Sequence, residues 1–138
     1  MELIIPSTDI PGAIELKLPE FTDSYIAAVW DTKRQDDFSS NLKSFLTVSS
    51  QISGENVDRM SISDWDAILA KLLKPGNEIS EEEKEAEAFA KELRSLTINA
   101  FKTNEFIGEN VLAYAPVPGE QKGCVDLMET TGGKSWSL

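Results

Sequence analysis

Between residues 80 and 104 the chain carries a helix-start signal and then an apolar repeat that keeps one phase, and this stretch does most to limit its fold. Ser80 with Glu83 three residues later is a capping box. In that motif each side chain satisfies a backbone N–H that the first helical turn leaves without a partner. Glu81, Glu82 and Glu83 also place negative charge at the positive end of the helix dipole. Ala86, Phe89, Ala90, Leu93, Leu96, Thr97, Ala100 and Phe101 then fall on one face to about Asn104. The spacing predicts a helix over 81–103, ~35 Å long at 1.5 Å per residue, around which the rest must pack.

Three further apolar periodicities surround it. Ile14, Leu16 and Leu18 alternate with Glu15 and Lys17, the period-two signature of a half-buried strand closed by Pro19. With Leu3-Ile4-Ile5 they predict two short N-terminal strands. Tyr25, Ile26, Val29 and Trp30 sit at helical spacing behind a cap at Thr22 or Asp23, and the charged Asp31–Asp37 stretch closes or interrupts that helix. Phe38, Leu42, Phe45 and Leu46 make a second helix face, with the chain turning extended near Thr47-Val48 and looping from Ser49 to Asn56. Ser63 as N-cap with Asp66 starts a third, whose face is Trp65, Ile68, Leu69, Leu72 and Leu73 and whose end is Pro75-Gly76. Val111–Ala115 reads as one more strand. The expectation is an α+β protein: short N-terminal strands on a mainly helical body with one long capped helix. Residues 1–119 form a single globular domain, and 120–138 form an irregular polar tail rich in Gly, Ser and Thr.

Composition narrows the function. Against 13 Lys and Arg stand 24 Asp and Glu, a net charge of −11 in 138 residues. That balance excludes ordinary binding to nucleic acid or to anionic membranes, both of which need clustered cations. It favours solubility and steering toward a basic partner. The chain has no histidine, which removes Ser-His-Asp and Cys-His triads, histidine bases and the usual zinc-hydrolase sites. With Cys124 as the only cysteine, neither an internal disulfide nor a cysteine zinc site can form. No apolar run approaches the ~20 residues of a membrane span, and the N-terminus lacks the features of a signal peptide. The expectation is a cytoplasmic protein without enzyme activity, with no catalytic residue, no metal and no cofactor.

The remaining motifs separate into weak and open. Gly132-Gly133-Lys134-Ser135 ends like a phosphate-binding loop, but Met128 stands where that loop needs glycine and only three residues follow. The carboxylate pairs Asp36-Asp37 and Asp64/Asp66 lack the spacing of a calcium loop, and helix capping accounts for the second. The Glu78–Glu87 cluster reads as a solvated helix start, or as a negative surface that imitates nucleic acid. Trp30 and Trp65 lie on apolar helix faces and read as core. Trp136 stands in a polar tail, where Trp136 and Leu138 either anchor the chain in a partner's pocket or fold back on its own domain.

From Ile4 to Leu73 the order of features resembles small phage tail assembly chaperones and baseplate-hub assembly proteins. The segment that carries the likeness is Val57-Asp58-Arg59-Met60-Ser61-Ile62-Ser63-Asp64-Trp65-Asp66-Ala67-Ile68-Leu69. The resemblance implies an assembly chaperone or structural adaptor whose partner is another protein, such as a phage structural subunit, in a virion assembled in the cytoplasm. Phe89, Leu93, Leu96, Trp136 and Leu138 are the candidate partner-binding residues. The alternative is an acidic inhibitor that blocks a basic host or defence protein by charge mimicry. Oligomeric state is not legible.

Overall fold

A computed structural model describes residues 1–113 and 124–135. Four helices make its body: α1 (Leu18–Val29), α2 (Thr32–Ser53), α3 (Ile62–Leu73) and α4 (Lys84–Lys102), with a short α5 (Leu127–Thr131) beyond them. Short 3₁₀ turns at Val57–Arg59 and Glu81–Glu83 lead into α3 and α4, and a π-helical turn, Ile107–Val111, follows α4. Among the described residues there is no strand, so the expected α+β class is corrected to a helical body.

The N-terminal strands fail for a specific reason. Pro19 lies in the first turn of α1, where its missing N–H is not needed and its fixed φ already suits a helix. The preceding residues wind tightly, with the Leu16 and Leu18 N–H groups donating to Gly12 and Ala13 carbonyls and Lys17 held at φ 54°. The alternation therefore does not define one face: Ile14 is 65% exposed and Leu18 is 1% exposed. Glu2 ties this hook together, accepting from Ser7 N–H at 3.1 Å through Oε1 and from Ile14 N–H at 2.8 Å through Oε2. Gly12 is required beside it, because a Cβ there would come within 2.5 Å of both Glu2 Oε1 and the Ser7 nitrogen.

Helix starts differ from the sequence expectation by register. α1 begins at Leu18, so Thr22 lies inside it instead of capping it. The Asp31–Asp37 stretch is the first turns of α2, with Asp31 Oδ1 accepting from Arg34 N–H at 2.8 Å as N-cap. α2 then runs helical through Thr47-Val48 to Ser53, and Gly54 ends it at φ 73°, a left-handed cap that favours glycine. α3 is capped by Ser61, with Asp64 accepting from the Ser61 N–H at 2.8 Å. The box Ser61-x-x-Asp64 is complete two residues before Ser63, which is why the earlier start wins. Glu83 accepts from the Ser80 N–H at 3.1 Å, as the capping box requires, and α4 proper follows one 3₁₀ turn later. The expected strand at Val111–Ala115 is replaced at Val111 by the end of the π-helical turn, with Leu112 extended after it; Tyr114 and Ala115 lie outside the described residues.

Phe45, Val48, Ile68, Leu72, Ala86, Phe89 and Ala90 form the main core, where α2, α3 and the first half of α4 meet. Aromatic rings link the helices across it. Trp30 packs edge-on against Phe38 at 5.3 Å, Phe38 and Phe45 each contact Phe89 at 5.0 and 5.1 Å, and Phe45 stacks on Trp65 at 6.0 Å. Such tilted and edge-on pairs add to the burial of the rings themselves. The α1–α2 corner is locked over the same region. Arg34 lies 3.9 Å from the Trp30 ring centre and pairs with Glu92 of α4, while Gln35 Nε2 donates to the Trp30 carbonyl at 2.9 Å. A second, smaller cluster of Ala13, Leu18 and Ala100, with Leu16 and Phe101 against it, joins the N-terminal hook to the second half of α4.

Candidate functional site

α1 carries more apolar surface than its surroundings cover. Leu18, Thr22, Ile26 and Trp30, spaced four apart, turn inward; Leu18, Thr22 and Trp30 are buried and Ile26 is half-buried. One residue behind them runs a second stripe, Phe21, Tyr25 and Val29, which is 50%, 40% and 60% exposed. The Phe21 and Tyr25 rings stack at 6.4 Å with 20° between their planes. In the run Tyr25-Ile26-Ala27-Ala28-Val29 only Ile26 is not exposed. A helix packed on one neighbour needs a single apolar stripe, so the second one is unexplained by folding.

This stripe borders a cleft between α1 and the second half of α4. Phe21, Thr22 and Tyr25 form one wall; Leu96, Asn99, Ala100 and Thr103 form the other, enclosing about 260 Å³. The cleft shares Phe21, Ala100 and Thr103 with a wider opening of about 430 Å³, whose rim carries Lys17, Glu20 and Glu105. Thr22 is 5% exposed, and its buried hydroxyl has no hydrogen-bond partner. Thr103, opposite, is satisfied within α4, its hydroxyl donating to the Asn99 carbonyl at 2.9 Å.

Among the described residues, two of the three shifted titrations serve helix starts. The Lys71 ammonium, together with the Ser80 N–H, holds the Glu83 carboxyl below its usual range. The Ser61 hydroxyl and N–H do the same for Asp64. Burial lowers the pKa of the Met1 ammonium. Among the described residues no three His, Cys, Asp or Glu side chains converge as metal ligands, and no helix is long and apolar enough to cross a membrane. The Gly132-Gly133-Lys134-Ser135 segment makes no phosphate cradle. Gly132 caps α5 at φ 63°, and Lys134 Nζ donates to the Asn110 carbonyl at 2.8 Å.

The expected partner-binding residues are dispersed by this arrangement. Phe89 is 2% exposed inside the aromatic core and offers no surface. Leu93 is half-buried against the same core, and Leu96 alone reaches the cleft. Trp136 and Leu138 lie outside the described residues. Phe21, Thr22, Tyr25 and Val29 were not singled out as binding residues. Their signal was present in the six apolar residues Tyr25–Trp30, too many in succession for one helix face. A second exposed apolar group, Val125, Leu127 and Met128, lies on and beside α5.

The family model for gluconate 2-dehydrogenase subunit 3 matches residues 1–119, and the chain belongs to that family. No curated protein and no solved structure matches it. The match corrects the likeness to phage tail and baseplate assembly proteins, and with it both the virion-assembly role and the charge-mimic inhibitor. The physical reason is that the residues behind the likeness, Val57–Leu69, form a 3₁₀ turn and a capped amphipathic helix, a pattern many unrelated helical proteins share. A family of enzyme subunits implies binding to other protein subunits, so the expectation of a protein partner stands and the phage partner does not.

Proposed function

As a member of the gluconate 2-dehydrogenase subunit 3 family, the chain acts, we propose, as a non-catalytic subunit of a redox-enzyme complex. The α1/α4 face is where it docks on the partner subunit. The observation that carries this reading is the second apolar stripe of α1, Phe21-Tyr25-Val29, standing exposed beside a cleft. Aromatic side chains over a pocket are the composition of an interface centre, where a few residues supply most of the binding energy. The absence of histidine and the single cysteine support an accessory role, since hydride and electron transfer then rest with groups carried by another subunit. The strong negative charge keeps the free subunit soluble while this face waits uncovered.

Purification of the tagged full chain from its native source, with bound proteins identified, tests the reading. The expected result is a dehydrogenase subunit retained through high-salt washes, because an apolar contact weakens little with ionic strength. The triple variant Phe21→Ser, Tyr25→Ser, Val29→Ser should lose it while keeping the wild-type circular dichroism. Retention undiminished in the triple variant would place the docking face elsewhere, and recovery of no redox-enzyme subunit would sink the proposal.

A further inference from the structure

We infer that Arg94, at the edge of the α1/α4 docking face, receives an Asp or Glu side chain of the partner subunit. The inference rests on the docking face proposed above and names the chemistry that meets it.

The chain is strongly acidic as a whole, but its charge is divided unevenly along α4 and the turn that leads into it. Residues 81–92 carry six Glu and two Lys, a net charge of −4. Residues 93–104 carry Arg94 and Lys102 and no carboxylate, a net charge of +2. The carboxylates of α4 nearest Arg94 are already matched by cations: Glu87 pairs with Lys91 at 2.7 Å and Glu92 with Arg34 at 3.4 Å. Glu85 is nine residues from Arg94, ~13 Å along the helix at 1.5 Å per residue. Physiological salt screens exposed charges beyond ~8 Å, so the acidic start of α4 does little to offset Arg94.

Arg94 is exposed and, with Lys91, Ser95, Ile98 and Asn99, lines an opening of about 310 Å³ on α4. Asn99 also lines the α1/α4 cleft, so the two openings adjoin. A partner that covers Phe21 and Tyr25 reaches Arg94 across Asn99. The face then has an apolar aromatic centre and a cationic edge, the division between core and rim that protein interfaces use.

The donor set favours a carboxylate. Among the described residues Arg94 makes no ion pair, and its guanidinium is a planar fork that matches the two oxygens of Asp or Glu. Ser95 and Asn99 add a hydroxyl and an amide able to donate beside it. A basic partner side chain would meet like charge at this edge. A nucleic-acid strand needs many cations and would meet the acidic remainder of the chain.

The probe is the dehydrogenase subunit recovered with the tagged chain, its affinity measured against full-chain variants whose circular dichroism matches the wild type. Arg94→Gln should weaken binding by about tenfold or more, the scale of a charge-assisted hydrogen bond. Arg94→Glu should weaken it further. Arg94→Lys should keep part of the affinity, since a point charge lacks the fork. Passing from low to high salt should weaken the wild type more than Arg94→Gln, while the apolar centre keeps both bound. Carbodiimide, which condenses an amine with a carboxylate, should join residue 94 of the Arg94→Lys chain to a partner Asp or Glu. Changing that partner residue to Arg should restore binding to Arg94→Glu. Undiminished affinity of Arg94→Gln would overturn the inference, as would tighter binding of Arg94→Glu. If the partner is lost from the α1 triple variant yet binds both Arg94 variants normally, the carboxylate inference fails and the docking face stands. If the triple variant still holds its partner, or no dehydrogenase subunit is recovered, both fail.

Discussion

The two halves of α4 have different surroundings. Ala86, Phe89 and Ala90 in its first half are 0–2% exposed, enclosed by α2 and α3 and by the rings of Phe38 and Phe45. In its second half Ala100 is buried by the N-terminal hook and α1, but Leu96 and Asn99 open onto a cleft whose other wall is half-exposed. One continuous helix thus joins an enclosed region to a region that borders an open cleft. The comparison teaches that an apolar residue's place on a helix face does not by itself say how far the rest of the chain will cover it. On the first half the cover is α2 and α3; on the second it is the N-terminal hook and α1, which leave a cleft.

The largest predicted effect tests the closed half. Phe89→Ala should destabilise the protein by about 3–5 kcal/mol, because the ring touches both Phe38 and Phe45 and its loss leaves a cavity that cannot collapse. Urea unfolding followed by tryptophan fluorescence measures it, and a cost below about 1 kcal/mol would mean that the aromatic core is not the main source of stability.

Next in size is a helix cap in the same half. Ser61→Ala removes the hydroxyl that bonds the Asp64 carboxylate and N–H, and should cost about 1 kcal/mol by the same measurement. No change would show that Asp64 alone holds the start of α3.

Acid provides a graded test of the junction between α3 and α4. Glu83 titrates lower in the folded chain than its ordinary 4.5, so the folded state binds fewer protons than the unfolded one in that window. Stability from this group is present above pH 4.5 and is lost as pH falls through the lower folded value. Lys71→Met removes the main cause of the shift. Thermal melts from pH 6 downward should therefore lose less stability to acid in that variant than in the wild type.

The smallest effect sharpens the comparison most. Thr22→Val in the open half should leave stability unchanged or raise it by up to about 1 kcal/mol, since an unpartnered buried hydroxyl is replaced by a methyl group of the same size. The opposite sign, a loss above about 1 kcal/mol, would mean the hydroxyl is already satisfied in the free protein, and the open half would then be ordinary core.

Much of the helical body was legible because its signals are local. The capping box at Ser80 and Glu83 and the apolar series through Phe101 need no distant residue to be read, and α4 forms where they predict. Of the expected face Phe38, Leu42, Phe45 and Leu46 on α2, Phe38, Phe45 and Leu46 pack inward while Leu42 stays 37% exposed. The N-terminal segment was misread because alternation over six residues cannot distinguish a strand from a tight turn followed by a helix. Pro19 could end the first or begin the second. Glu2 decides between them, by hydrogen bonds to Ser7 and to Ile14 twelve residues away. The unequal burial of the expected partner-binding residues has a related reason. Phe89, Leu93 and Leu96 share one stripe, yet only contacts from α2 and α3 determine that Phe89 is enclosed while Leu96 meets a cleft.

From the sequence alone follow the long capped helix, the amphipathic faces on either side of it, the acidic charge and the lack of histidine chemistry, because each depends on residue type and short-range spacing. Tertiary structure alone decided that the N-terminus is a hook instead of a strand pair, that α1 keeps a second apolar stripe uncovered, and that the Thr22 hydroxyl is buried without a partner. Those outcomes depend on which surfaces meet across many residues of chain, and burial is a property of the meeting and not of either surface alone.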